Sequence, residues 1–338
     1  MDDAITVENL SKTYNGTVKA VEHVSFSVRA GEAFGFLGPN GAGKTTTVSM
    51  LTAGLAPTAG HAVVDGVDVF RHPDLIKKRI GLVFQESTAD SDLTGRENLE
   101  LAAALFAVPR RDTRAKIDSL LERMQIGEAA DRLARTYSGG MRRRLELAVG
   151  IIHSPRVLFL DEPTLGLDPQ GRAGFWRYVQ ELRKDHGMTV FLTTHYLDEA
   201  DSICDRIAII DHGHIVATGS PSELKDRLGG DVVTVRPVRD DPALEGLLRA
   251  VPGVLSVATQ DGAYRLKAPR GEELVPGLVE ACTRAGIGLY SVSVKRPSLD
   301  EVFLELTGHE YREDEGMTPT DRAVRIGQFQ QAVGRARR

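Results

Sequence analysis

Apolar residues recur along the chain at two spacings, which separate predicted strands from predicted helices. Residues 5–10 and 24–28 alternate apolar with polar side chains, which predicts two half-buried antiparallel strands. The polar residues 11–16 between them predict a turn. Further strands are predicted at residues 32–37, 61–65, 80–84, 157–160 and 189–194. The mostly apolar segment at residues 32–37 predicts a buried strand, and the unbroken apolar segment at residues 157–160 is typical of a central strand of a parallel sheet.

The apolar spacing changes to that of helices between residues 92 and 135. Leu99 and Leu105, and then Ile117 and Leu121, fall at helical intervals with polar residues between them. We therefore predict a helical subdomain, inserted between strands, over about residues 88–155. Together with the strands on either side, it makes the chain an α/β protein.

The strand and helix pattern starts again on a smaller scale after Gly229 and Gly230. Its order is β-α-β-β-α-β, which predicts a small ferredoxin-like α+β accessory domain. A last helix at residues 298–306 has one apolar face that can dock on another element. The residues after Gly308 are polar and without periodicity, which predicts a disordered tail. The predicted domains are residues 1–228, 231–308 and 309–338.

Composition and charge exclude several classes of protein. The 338 residues carry a net charge of −5, and both signs are interspersed, so no broad basic surface indicates a nucleic-acid partner. The two cysteines lack the C-x-x-C spacing of a zinc site and do not indicate a disulfide framework. Neither a signal peptide nor a run of 18 apolar residues is present, so the chain has no predicted transmembrane segment of its own. Any role at a membrane is expected to come through a partner.

A glycine-rich segment between a predicted strand and a predicted helix matches the pattern G-x-x-x-x-G-K-[ST] of a phosphate loop. Its residues are Gly38, Pro39, Asn40, Gly41, Ala42, Gly43, Lys44, Thr45 and Thr46. Small residues leave backbone N–H groups free to surround phosphates, and the helix that begins at Lys44 directs its positive end toward them. Lys44 adds a full charge, and the Thr45 hydroxyl can ligate Mg²⁺. The alternative is an ordinary glycine-rich turn, but the flanking strand and helix favour a nucleoside triphosphate site.

Polar residues follow three of the predicted strands. Asp161 and Glu162 come directly after residues 157–160, where open α/β sheets bind their ligands. Asp161 can hold Mg²⁺ through water, and Glu162 can orient or deprotonate an attacking water. His195 ends another strand and is a candidate contact of the terminal phosphate. Gln85 also ends a strand, where its amide can reach Mg²⁺ or a water, although one glutamine proves little.

A second helix start with uncovered glycines lies at Ser138, Gly139 and Gly140. An anion can bind there, but a helix capped by Ser138 is an equally good explanation from these residues alone. The arginines at residues 142–144 predict a solvated face. Tyr14 either stacks on an adenine ring or is an ordinary surface tyrosine, and its position ahead of the phosphate loop favours stacking.

These motifs, in this order and at these intervals, resemble the nucleotide-binding subunit of an ABC transporter over roughly residues 4–225. The Ser-Gly-Gly element distinguishes that family from other phosphate-loop proteins, although Tyr137 and Met141 stand where the family most often has Leu and Gln. The resemblance implies a cassette of a mixed sheet, an antiparallel β subdomain and the helical subdomain. It also implies an ATPase that binds ATP and Mg²⁺ between two copies packed head to tail.

By the same resemblance, particular residues have particular roles. Tyr14 stacks on adenine, Gln85 belongs to the Q-loop, Asp168 lies in the D-loop, and His195 is the switch histidine. Lys44, Gln85, Glu162 and His195 are the expected catalytic residues, and Thr45, Gln85 and Asp161 the expected metal ligands. The other residues of the phosphate loop bind nucleotide together with Ser138, Gly139, Gly140 and Asp168.

The C-terminal segment at residues 298–308 is similar to the end of the daunorubicin-resistance type of ATPase subunit. This implies an energy-coupling subunit for export of drugs or other hydrophobic compounds, peripheral to the cytoplasmic side of the cell membrane and bound to a separate polytopic permease. The alternative is a soluble ABC-type ATPase that acts as a clamp, but the chain shows one cassette and no sustained heptads. The accessory domain either senses a ligand or buttresses the dimer.

Overall fold

The computed structural model describes residues 3–84, 88–228, 230–239, 241–260 and 262–308. Strands β1 to β7 are Asp3–Tyr14, Val18–Arg29, Ala33–Leu37, Ala59–Val64, Val67–Asp68, Ile80–Val83 and Val157–Asp161. Strands β8 to β14 are Thr189–Thr194, Arg206–Asp211, His214–Gly219, Asp231–Pro237, Ser256–Gln260, Ala263–Ala268 and Leu289–Lys295. Gln85 and the predicted disordered tail at residues 309–338 lie outside the described residues.

Eleven α-helices lie between and after these strands in the described part of the chain. Helices α1 to α6 are Lys44–Leu51, Pro73–Arg79, Gly95–Leu105, Arg110–Arg123, Gly139–Ile151 and Pro169–His186. Helices α7 to α11 are Leu197–Ile203, Pro221–Asp226, Leu244–Arg249, Gly271–Arg284 and Leu299–Thr307. Within the described part of the chain, no helix is long and apolar enough to cross a membrane.

The central sheet has the strand order β10-β9-β3-β8-β7-β6. Strands β9, β3, β8, β7 and β6 run parallel, and β10 pairs antiparallel with β9 at one edge. Every residue of β3 and β7 is buried, as their apolar segments predicted, and every residue of β8 is buried as well. Because the strands are parallel, the loops that follow β3, β7 and β8 emerge at the same edge of the sheet.

An antiparallel sheet of order β2-β1-β4-β5 packs on the central sheet. Phe26 of β2 stacks on Phe34 of β3 with ring centroids 5.5 Å apart, and Phe36 and Phe191 extend the same aromatic cluster. The aromatic rings supply a large apolar area that joins the two sheets. The antiparallel strands predicted at residues 5–10 and 24–28 are present and longer than predicted.

The turn predicted at residues 11–16 is wrong in most of its length. Residues 11–14 continue β1, and Lys12, Thr13 and Tyr14 pair with β2. The chain turns at Asn15 and Gly16, both with positive φ. Polar residues are tolerated in this part of β1 because its side chains are only half buried.

Helices α3, α4 and α5 and two 3₁₀ turns form the predicted helical insertion between β6 and β7. Thr94 and Glu97 form a reciprocal capping box at the start of α3. Of the leucines and isoleucine at helical spacing, Leu99, Ile117 and Leu121 are buried there, whereas Leu105 is exposed at the end of α3.

The C-terminal sheet has the order β12-β13-β11-β14, and its strands alternate with α9 and α10 in the predicted β-α-β-β-α-β sequence. Its hydrophobic core is separate from those of the two other sheets. The last helix, α11, instead buries Leu299, Val302 and Phe303 in the hydrophobic cluster that contains the central sheet and the helical insertion. The apolar face of α11 therefore packs the end of the described chain against the part formed by the central sheet and the helical insertion. The domain boundaries themselves stay predictions.

Candidate functional site

The phosphate loop connects β3 to α1 at the edge of the central sheet where β7 and β8 also end. Gly43 has φ of 108°, and a Cβ atom added to it would lie 2.4 Å from the carbonyl oxygen of Ala20. A Cβ atom on Gly38 would lie 2.2 Å from the carbonyl oxygen of Ile210. Only glycine fits at both positions, so the loop can turn tightly here. The backbone N–H groups of such a loop and the start of the following helix are suited to bind phosphate oxygens.

Lys44, the first residue of α1, is buried with 4% of its surface exposed. Its Nζ donates to the carbonyl oxygen of Gly38 at 2.7 Å and lies 3.4 Å from Oε1 of Glu162. Burial lowers the pKa of Lys44, and the carboxylates of Glu162 and Asp161 act against that shift. The ammonium is thus held at the mouth of the loop between backbone oxygens and a carboxylate.

Asp161 ends β7 beside the start of α1. Its Oδ1 accepts a hydrogen bond from Thr193 at 2.6 Å, and the hydroxyl of Thr45 lies 3.5 Å from the same oxygen. Burial raises the pKa of Asp161, while the hydrogen bond from Thr193 opposes the shift. The adjacent carboxylate and hydroxyl oxygens are the type of ligand that Mg²⁺ prefers, so these residues fit the metal.

Glu162 follows Asp161 with a left-handed backbone, at φ of 46°. Its Oε1 faces Lys44 and its Oε2 lies 3.3 Å from Nδ1 of His195. Burial by itself would raise the pKa of Glu162, but the hydrogen bond with His195 and the charge of Lys44 outweigh it and lower the pKa. Glu162 is therefore an ionised, buried carboxylate that can accept a proton or orient a water.

Thr193 was missed by the sequence analysis, which saw it only as part of a strand. Its hydroxyl donates to Asp161 and accepts the backbone N–H of Glu162 at 3.0 Å. It is fully buried in β8, next to β7 in the sheet. One hydroxyl thus orients both acidic residues. A threonine is common in any strand, so the sequence carried no signal for this role.

We expect Thr193→Val, which keeps the shape of the side chain, to lower turnover and raise the Mg²⁺ concentration needed for half-maximal activity. The carboxylate of Asp161 loses its donor, and its pKa rises further. Leaving these buried groups unpaired costs about 1–3 kcal/mol of unfolding free energy. Titration of ATPase activity with Mg²⁺ and thermal denaturation measure the two effects.

Thr189→Val is the matched control, because the Thr189 hydroxyl accepts from the backbone N–H of Gly31 at the opposite end of the same strand. It should lower stability without changing the Mg²⁺ dependence. Equal Mg²⁺ dependence in the two variants would contradict the assigned contact.

The predicted nucleotide-binding residues outside the phosphate loop lie at the starts of α5 and α6 and at the end of β1. Ser138 caps α5 through Met141, and Asp168 caps α6 through Gly171. Ser138, Gly139 and Asp168 are exposed, and the contacts recorded for Ser138 and Asp168 in the described chain are with their own helices rather than with Lys44. Tyr14 lies half-buried at the end of β1 with the ammonium of Lys12 over its ring.

The solvated face predicted at residues 142–144 is wrong. Arg143 is buried and donates hydrogen bonds to Glu146 and to backbone oxygens of the segment that contains Glu162. Arg144 is partly buried and donates to the carbonyl oxygens of Gly140 and Met124. The rotation of α5 against the sheet turns these side chains inward, where backbone carbonyls satisfy them.

Two family models match the chain. The model described as ABC transporter covers residues 21–165, and the model described as the C-terminal domain of DrrA1-3-like ATP-binding proteins covers residues 219–307. The first match contains the phosphate loop, Ser138 and Glu162.

The chain is also similar to individual proteins over most of its length. It is 46% identical to the daunorubicin resistance ATP-binding protein DrrA3 of Streptomyces coeruleorubidus, across 92% of this chain and 98% of that protein. It is 44% identical to the daunorubicin/doxorubicin resistance ATP-binding protein DrrA of Streptomyces peucetius, across 90% and 93%. A solved dimeric ATP-binding cassette, MJ0796, in a post-hydrolysis state with ADP and Pi superposes with a TM-score of 0.59 at 25% identity, across 64% of this chain and 98% of that one.

The architecture, the phosphate loop and these similarities agree with one another. The chain therefore belongs to the ABC transporter family, as an ATP-hydrolysing ATP-binding subunit of the daunorubicin-resistance type.

Proposed function

We propose that two copies of this chain hydrolyse ATP between them at the cytoplasmic face of the membrane and power a separate permease that exports hydrophobic drugs. The observation that carries the hydrolytic part is the buried contact of Glu162 with both Lys44 and His195. The class of cargo rests on the names of the relatives, which are resistance proteins for daunorubicin and doxorubicin.

Residues of one chain supply the phosphate-binding half of the site. The phosphate loop offers backbone N–H groups and the positive end of α1, and Lys44 adds a cation. Thr45 and Asp161, whose oxygens lie 3.5 Å apart, are the proposed ligands of Mg²⁺, with Gln85 as a further proposed ligand by family resemblance. When bound, the metal would neutralise phosphate charge. Tyr14 is proposed to stack on adenine.

Glu162 is the proposed general base or orienter of the attacking water. It keeps an unprotonated carboxylate because Lys44 and His195 lower its pKa. His195 directly follows β8 and is the proposed contact of the terminal phosphate. General-base catalysis of this kind contributes about 10²–10⁴-fold to rate.

The second copy supplies the other half of the site. Ser138 and Gly139 are exposed at the start of α5, and a Cβ atom on Gly140 would meet no atom of this chain within 4 Å. This surface leaves the helix start open to an anion presented by a partner. The dimeric state of the solved cassette with ADP and Pi supports the same arrangement. Asp168, exposed at the start of α6, is proposed to line that interface.

The test is to trap Glu162→Gln with ATP and Mg²⁺ in membranes of a host that also makes its permease, and then to solubilise the complex gently. We expect a polytopic membrane protein to co-purify with two copies of this chain, and the same preparation without Mg²⁺ to release it. Recovery of ribosomes or nucleic acid, or of a soluble dimer alone, would favour a clamp function. Drug accumulation in cells with and without the wild-type chain then tests the proposed cargo.

A further inference from the structure

The second turn of α5 carries a buried ion pair that none of the roles above uses. Arg143 and Glu146 have 7% and 2% of their surface exposed, and their side chains meet at 2.6 Å. A buried charge of this kind is costly unless every donor finds an acceptor. The contacts of the guanidinium therefore indicate what the pair does.

The guanidinium of Arg143 is bonded on both of its edges to backbone oxygens at the site. Nη2 donates to the carbonyl oxygen of Glu162 at 3.1 Å, and Nε donates to that of Pro163. Nη1 donates to the carbonyl oxygen of Phe84, at the end of β6, at 2.7 Å, and to Glu146. A planar guanidinium presents these donors in one fixed geometry, which a lysine cannot reproduce.

These bonds hold the backbone of Glu162 from the side opposite to Thr193. Thr193 binds the N–H of Glu162, and Arg143 binds its carbonyl oxygen. Glu162 has a left-handed φ of 46°, a conformation that a residue with a side chain keeps only when its surroundings enforce it. The direction of the Glu162 carboxylate thus depends on both contacts.

We propose that Arg143 is a positioning residue that fixes Glu162 in its hydrolytic geometry, and that Glu146 holds Arg143 in place. Because α5 begins at the exposed Ser138 end, the helix that meets the other copy also holds the base of its own copy. The proposal rests on the role of Glu162 in the proposed function. Its alternative is that the pair only neutralises itself inside the core.

A double substitution separates these possibilities. Arg143→Met with Glu146→Leu removes both charges but keeps the apolar volume, which often preserves or raises stability at a buried ion pair. We expect the double variant to fold with a thermal midpoint below that of the wild type, because the carbonyl oxygens of Glu162, Pro163 and Phe84 lose their donor. Its ATP dissociation constant should stay within about threefold of the wild-type value. Its kcat should fall about 10²-fold, the scale of a misplaced catalytic group. A wild-type kcat in the folded double variant would overturn the proposal.

Arg143→Lys is the second variant, because it keeps the charge and is expected to fold. A lysine cannot bridge Glu162, Pro163 and Phe84 at once, so kcat should fall while the ATP dissociation constant changes little. Arg183→Lys is the matched control, since Arg183 also binds a backbone carbonyl and a carboxylate, those of Gly31 and Asp205, away from the site. Equal kcat losses in the two lysine variants would contradict a specific role.

Arg143→Lys in a Glu162→Gln background distinguishes failure of the proposed base from failure of the proposed positioning role. With the base removed, Arg143→Lys should lower the residual rate no further. If Glu162→Gln alone keeps normal turnover, the proposed base is wrong. If Glu162→Gln abolishes turnover while the Arg143 variants keep it, only the positioning role is wrong.

Discussion

Glu162→Gln is expected to bind ATP about as tightly as the wild type and to hydrolyse it about 10²–10⁴-fold more slowly. The amide fills the same space between Lys44 and His195, which lie 3.4 and 3.3 Å from the two carboxylate oxygens. It cannot accept a proton, and it brings no negative charge near the terminal phosphate. Binding therefore survives while the chemical step is lost.

The measurements are calorimetric titration with ATP and the rate of phosphate release. Glu245→Gln is a matched control, because Glu245 also pairs with a cation, Arg249, but lies exposed on α9. Its turnover should stay normal. Near-normal phosphate release by Glu162→Gln would exclude Glu162 as the base, whatever the affinity.

The pKa of Glu162 also fixes the sign of its pH dependence. Since the pKa of Glu162 is lowered, the carboxylate remains ionised through the neutral range. Turnover limited by this base should then decline only under acidic conditions. A rise of kcat between about pH 7 and pH 8 would have to come from another group.

Much of the site could be predicted because its residues lie at the ends of strands. The phosphate loop, Asp161, Glu162 and His195 each follow an apolar segment, and parallel strands bring such positions to one edge of the sheet. The order of the strands could not be predicted, because β3 lies between β8 and β9, which are more than 150 residues away along the chain.

The orienting residues were harder to find. Arg143 stands in a row of three arginines, and which of them faces inward depends on how α5 packs against the sheet. One signal was available, since Arg143, Glu146, Leu147 and Gly150 follow the helical spacing of a buried stripe. Thr193 gave no comparable signal because buried threonines are common in strands. Hydrogen bonds between distant segments leave little trace in local sequence.

Lys44→Ala is expected to weaken ATP binding about 10- to 100-fold and to abolish measurable turnover, because a charged hydrogen bond to phosphate is lost. The remaining backbone N–H groups of the phosphate loop still attract the nucleotide, so binding should weaken rather than vanish. Calorimetric titration checks the affinity. Lys225→Ala is a control for the loss of a lysine, since Lys225 pairs with Asp201 of α7 outside the phosphate loop. An unchanged ATP affinity in Lys44→Ala would rule out the assigned role.

In the absence of nucleotide, Lys44→Ala should also change how the free energy of unfolding depends on pH. Removing the ammonium leaves the buried carboxylates of Asp161 and Glu162 without the cation that now lowers their pKa values. The pKa values of both carboxyls therefore rise. A carboxyl whose pKa is higher in the folded than in the unfolded state lowers the free energy of unfolding at high pH, and this loss disappears as the pH falls. The variant should therefore lose stability relative to the wild type at about pH 7.5 and recover part of the difference at about pH 5. Denaturation of the wild type and of Lys44→Ala at the two pH values measures this difference. A difference that is the same at both pH values would show that Lys44 does not control the charge of this carboxylate pair.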